Sequence, residues 1–171
     1  MATKGETTMA KAEYVIEPGK QEIVVTRVFD APRELVFKAF TDPKLFAQWW
    51  GPRKYVSKME KFDVRPGGLW RIVQSDGSGM EHGFHGVHHD VVAPERIVAT
   101  FEYEGVPGHV LLGTTTFEAL GNKTRMVAQN VFQSVADRDG MVASGMQQGS
   151  DESYERLAEL LVELSKNKPA H

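Results

Sequence analysis

The chain contains no cysteine, which excludes a disulfide framework, a thiolate metal cluster and a cysteine nucleophile. It also has no apolar run long enough to span a membrane as a helix. The opening stretch MATKGETTMAKAEYV lacks the apolar centre of a secretory leader. Neither leader nor anchor is expected, and the reading is a cytoplasmic protein. No basic block is present: 20 Lys and Arg against 23 Asp and Glu give a net charge of -3, so no nucleic-acid partner is expected. GxSxG elbows, Walker loops, dinucleotide fingerprints and paired-carboxylate motifs are missing too, and no cofactor is expected. Tryptophan is scarce at three residues, yet two of them are adjacent in LFAQWWGP, Leu45 to Pro52.

What remains is ordinary globular material. The 171 residues, 41% apolar and 25% charged, suit one domain with a substantial core. Residues 1–20 are polar and aperiodic and are expected to be a mobile arm, with local docking open to Tyr14, Val15 and Ile16. EIVVTRVF, Glu22 to Phe29, is rich in β-branched residues and predicts the first strand. Asp30 or Ala31 followed by Pro32 starts a helix, and TDP at Thr41 to Pro43 starts a second short one ending near WWGP. From Tyr55 to Phe132, turn signals such as RPGG, SDGSG and LGNK separate six further strands joined as successive hairpins.

The C-terminal segment carries Tyr154, Leu157, Leu161 and Leu164 on one stripe, with Asp151 and Glu152 upstream and Lys166, Lys168 and Pro169 at its end. The stripe continues back to Val142 and predicts one helix from about Asp137 to Ser165. Gly145 and Gly149 interrupt it, each costing about 1 kcal/mol in a helix interior. Either the helix breaks there, or the missing side chains leave room beneath it. The expected fold is α+β: a curved seven-stranded antiparallel sheet wrapped around a long C-terminal helix, with two short helices after the first strand and a tail at 168–171. A single helix across a wide sheet encloses space where ligand pockets form.

Several segments resemble one known group. TRVFDAPRELVFKAFTDP, QWWGP, FDVRPGGLWRIV, VVAPERIVATFEY and SYERLAELL, in this order between residues 26 and 161, are similar to the START-like or Bet v 1-like (SRPBCC) superfamily. Within it they resemble homologues of the C-terminal domain of the heat-shock-protein-90 ATPase activator. The resemblance implies a helix-grip fold with a hydrophobic cavity. It implies a small apolar guest, or a chaperone, as partner, and the superfamily also includes aromatase and cyclase enzymes.

MEHGFHGVHHD, Met80 to Asp90, holds four of the six histidines. Alternation on a strand puts His82, Phe84, His88 and Asp90 on one face and His85 and His89 on the other. Too few ligands converge for zinc, and no metal is expected. His88 with Asp90 or Glu81, and His82, are the candidates for acid–base chemistry. Arg65 and Asp63 are expected to brace a hairpin rather than bind substrate. Aromatics offer the better lead. Trp50, Trp70, Phe84, Phe101, Tyr103 and Phe117 are the expected cavity residues, together with His88, Met146 and Gly149. His82, His88, Tyr103 or Gln129 would orient a guest. Met59, Met80, Met126 and Met141 serve equally as gap-fillers. Trp49, four residues after Leu45, is expected to anchor the short helix, and Trp50 to stand at the cavity rim. Three functions follow: a small-molecule binding protein, a cyclase, dehydratase or hydrolase using a cavity histidine, and a chaperone-activating module. A monomer or weak homodimer is expected.

Overall fold

The computed structural model describes residues 11–167; residues 1–10 of the expected arm and the tail at 168–171 lie outside the described residues. The chain forms, in order, β1 (Glu13–Val15), β2 (Glu22–Phe29), α1 (Arg33–Thr41), α2 (Pro43–Trp49), β3 (Val56–Phe62), β4 (Leu69–Ser75), β5 (Glu81–Val92), β6 (Arg96–Tyr103), β7 (Val110–Leu120), β8 (Lys123–Val131), α3 (Val135–Ala143) and α4 (Met146–Lys166). The strands make one sheet in the order β1-β2-β8-β7-β6-β5-β4-β3, and every neighbouring pair is antiparallel. The helix-grip expectation holds, with eight strands where seven are predicted.

The extra strand comes from the expected arm, where Glu13, Tyr14 and Val15 pair with Thr26, Val25 and Val24. The Tyr14 hydroxyl donates to Asp151 Oδ1 at 2.8 Å, so β1 is fastened to α4 as well as to the sheet. Three residues of strand carry too little periodic signal to be read alone, and the partners that hold them lie far away in sequence.

Helix α1 has Pro32 at its N-cap with no side-chain cap, so Asp30 and Ala31 stand outside the cap position expected of them. Helix α2 follows the predicted start signal: the Asp42 carboxylate accepts from the Lys44 and Leu45 amides. Of the two readings open for the segment from Asp137 to Ser165, the break holds: it is two helices. Gly145 adopts φ +84°, a left-handed conformation that ends α3 and re-aims the chain into α4. Ser134 caps α3 by accepting from the Asp137 amide.

Strand alternation then builds the core. In β2, Ile23, Val25, Arg27 and Phe29 are buried while their neighbours are half-buried, and Met126 and Ala128 of β8 join them. Leu157 and Leu161 of α4, with Val36, Phe37 and Ala39 of α1, close this cluster from the other side. Trp49 completes it at 2% exposure. Its indole nitrogen donates to the Ala39 carbonyl at 2.9 Å, and its ring meets Phe40 at 4.8 Å and Phe46 at 5.0 Å. Trp49→Ala is expected to cost about 3–5 kcal/mol of unfolding free energy, measured by chemical denaturation. A loss below about 1 kcal/mol would remove Trp49 from its anchoring role.

Candidate functional site

The concave face of the sheet and the covering helices enclose a cavity of about 390 Å³, within the size range of small-ligand sites. Its wall is mostly aromatic. Trp50 stacks on Phe46 at 6.0 Å and meets Phe84 edge-on at 5.1 Å. Phe101 connects Phe84, at 5.5 Å, with Trp70, at 5.9 Å. The Trp70 indole is already committed, donating to the Thr100 carbonyl at 3.1 Å. Met141, Met146 and Gly149 close the cavity from α3 and α4. Among the described residues, no Asp, Glu, Lys or Arg lines it.

The loop that carries Trp50 is held against α4 by hydrogen bonds. The Gly51 amide donates to Ser153 Oγ at 2.8 Å. Arg156 donates to the carbonyls of Gly51 at 2.9 Å and Gln48 at 2.7 Å. Gly51 is at φ +95°, and a side chain there would collide with the Gln74 amide. This residue therefore has to be glycine for the loop to seat. Gly149 of α4 faces this loop, and a methyl on it would meet Pro52 Cγ at an ordinary contact distance of 3.5 Å.

Of the expected cavity residues, Trp50, Trp70, Phe84, His88, Phe101, Met146 and Gly149 line this space, and Phe117 and Tyr103 do not. Phe117 is on the concave face of β7, but α1 covers it: its ring packs edge-on against Phe37 at 5.6 Å and Phe40 at 5.0 Å. Tyr103 lies at the end of β6, where it stacks on Phe84 at 5.1 Å and shares a hydrogen bond of 2.7 Å with His82 Nδ1. His82 and Tyr103 border a separate small hollow beside Arg71 and Glu104. Gln129 is on the outer face and donates to Glu22; its neighbour Asn130 lines the cavity instead. Met126 is buried core and Met80 is exposed. Phe46, Phe62, Asn130 and Thr115 line the cavity without having been singled out from the sequence. Helical spacing could have nominated Phe46, four residues before Trp50; the others needed the sheet register.

The histidine-rich strand is reorganised by a bulge. His88 pairs with Ala99 and Asp90 with Val98, leaving His89 as the extra residue. His88 therefore faces the cavity while Asp90 moves to the outer face, where Arg96 binds it at 2.7 Å. The expected His88–Asp90 pair does not exist. His85 is also outside, 2.9 Å from Glu104. Arg71 first, and His85 second, hold the Glu104 carboxyl down at about 2. Arg65 and Asp63 brace their hairpin through a 2.7 Å contact. Among the described residues, no three His, Asp or Glu side chains are grouped to hold a metal, and no helix is long and apolar enough to cross a membrane.

His88 is 5% exposed, and its Nδ1 has no hydrogen-bond partner among the described residues. Burial pushes its pKa down, against smaller upward pulls from the backbone carbonyls of Asp63 and Gly68. The unfolded chain takes up a proton on His88 as pH falls through about 6.5, while the folded chain resists until a lower pH. Stability is thus full above that value and declines below it. The wild type is expected to lose melting temperature between pH 7 and 5.5 more steeply than His88→Leu. Parallel profiles would show that His88 carries no such linkage.

Comparison with known proteins agrees with this architecture. A solution structure of a protein from Arthrobacter aurescens superposes with a TM-score of 0.82 at 22% identity, covering 93% of this chain and 98% of that one. A crystal structure of a protein from Rhodobacter sphaeroides gives 0.82 at 24% identity, covering 89% and 98%. A protein from Chromobacterium violaceum gives 0.71 at 28% identity, covering 81% and 96%. Among proteins of curated function, none matches the sequence. Residues 30–162, which run from the approach to α1 into α4, match the family described as Activator of Hsp90 ATPase homolog 1-like protein, and the chain belongs to that family.

Proposed function

We propose that this protein binds a small, largely apolar and aromatic molecule in the cavity between the sheet and the α3–α4 pair. The observation that carries this reading is the cavity itself: about 390 Å³ walled by Trp50, Trp70, Phe84 and Phe101. Aromatic rings of this kind offer broad contact at low entropic cost and favour stacked or edge-on guests. Binding is favoured over acid–base turnover because His88, the one histidine among the described residues that lines the cavity, has lost Asp90 to the outer face. A partner carboxylate would hold a catalytic imidazole in one tautomer and orientation, and His88 Nδ1 has no partner among the described residues. His82, the other candidate, is engaged with Tyr103 outside the cavity. A chaperone-activating role rests on family membership alone, and stimulation of a heat-shock-protein-90 ATPase by the purified chain would favour it.

Protein purified from cells is expected to carry a small molecule in native mass spectrometry, or to show amide resonance shifts around Trp50, Phe84 and Phe101 when titrated with an aromatic library. A chain that is empty and unresponsive to the whole library would defeat the reading. Trp50→Ala is expected to weaken a bound library member at least tenfold while lowering the melting temperature less than Trp49→Ala does. The reverse ranking in the melts would exchange the roles of the two tryptophans.

A further inference from the structure

The register of the sheet places two uncommitted polar side chains on one row of the cavity floor. His88 of β5 pairs with Ala99 of β6, Ala99 with Gly113 of β7, and Gly113 with Asn130 of β8. All four residues line the cavity. The row therefore reads polar, small, small, polar, and it crosses the sheet perpendicular to the strands. Aromatic side chains occupy the neighbouring positions on one side, Phe101 and Trp70 among them, but this row is a trough.

Each end of the trough has hydrogen-bonding capacity that the protein does not use. His88 Nδ1 is buried and unpartnered among the described residues. In a neutral imidazole it either donates or accepts, and a hydroxyl group matches both. The Asn130 amide makes no side-chain hydrogen bond among the described residues, although those of Gln129 and Gln133 do. Gly113 lets Asn130 lean over the floor: a methyl on Gly113 would stand 3.1 Å from Asn130 Oδ1. Asn130 thus reaches across β7, and the two polar ends are separated by about two strand spacings, or about 10 Å. Of the other polar wall groups, Gln74, Ser153 and Thr100 are already committed. The Gln74 amide reaches the Trp50 carbonyl and Ser57, Ser153 Oγ is bonded to Gly51 and Gly149, and Thr100 Oγ1 accepts from the Val87 amide.

Resting on the reading of the cavity as a ligand site, we infer that the guest is a flat, uncharged, two-ended molecule that lies across the strands over Ala99 and Gly113. It has an aromatic core about two fused rings long, with a hydroxyl at one end held by His88 Nδ1. A polar group at its other end is held by the Asn130 amide. The guest is uncharged because, among the described residues, no Asp, Glu, Lys or Arg side chain lines the wall to compensate a charge, and an unpaired buried charge is strongly disfavoured. It is two-ended because an apolar guest would leave both polar groups unsatisfied, whereas a matched one satisfies each.

The test is a guest series of constant shape: naphthalene, 2-naphthol and 2,6-dihydroxynaphthalene, titrated against the full chain by tryptophan fluorescence. Affinity is expected to rise at each step, with the dihydroxy compound at least tenfold tighter than naphthalene. His88→Leu and Asn130→Leu should each reduce the two steps to one, and in the double variant neither hydroxyl should add affinity. Should a variant fail to fold, the wild type still decides the matter through the ¹⁵N resonance of His88 Nδ1. That resonance should move with 2,6-dihydroxynaphthalene and stay in place with naphthalene. Equal affinity of the wild type for all three guests would overturn the two-ended assignment while leaving the cavity reading intact. Two full steps in folded His88→Leu or in folded Asn130→Leu would overturn it as well. Binding of no member of the series would overturn both.

Discussion

A single α-helix is too narrow to cover this sheet. Eight strands at about 4.8 Å spacing make a sheet about 34 Å wide, while a helix with its side chains is only about 10–12 Å across. The strands curve to meet the helix, but curvature alone does not bring every concave-face residue into contact with it. Two solutions fill the difference here. On the β2 and β8 side, α4 lies directly on the sheet and its leucines join the core with Ile23 and Met126. Toward β3 and β5, the gap is filled from the side by α2 and the loop after it, which bring in Phe46 and Trp50, while α1 lies over β7 and β8. What neither solution fills is the cavity.

The two adjacent tryptophans show how that division of labour is made. Successive residues on a helix diverge by about 100°, and Trp49 at the last helical position of α2 turns into the core. Trp50, at the C-cap with extended backbone, leaves the helix and projects toward β5 and β6. The same short segment therefore seals the core with one ring and walls the cavity with the next. Its position is fixed from α4 by Ser153 and Arg156, so the cavity wall and the covering helix are parts of one hydrogen-bonded unit.

Much of this was legible in the sequence, for reasons that can be traced to particular residues. The turn signals and β-branched runs delimit β2 to β8, and Asp42 with Pro43 marks the start of α2 because capping chemistry is local. The nonlocal features were not legible. Nothing near Tyr14 announces its bond to Asp151. The bulge at His89 reverses the face of Asp90 without any glycine at the bulged position, and a period-two reading cannot anticipate it. Phe117 obeys alternation and still misses the cavity, because what covers a strand face is decided by a helix some eighty residues earlier. Asn130 went unremarked beside Gln129 for a related reason: in a strand, one residue of offset exchanges solvent for the interior.

These same nonlocal features concentrate the energetic oddities of the fold in one place. A buried imidazole nitrogen without a partner costs about 1–3 kcal/mol relative to a satisfied one, and a leucine of similar bulk at position 88 would carry no such penalty. The bulge that isolates His88 from Asp90 also removes the carboxylate that would have relieved it. Ala99 and Gly113 add no side chain that would fill the space in front of it. A sequence optimised only for folding would collapse this trough with larger apolar residues, since native interiors are otherwise close-packed. The departures from that rule fall together on one row of one sheet, as expected where a site is maintained at the expense of stability.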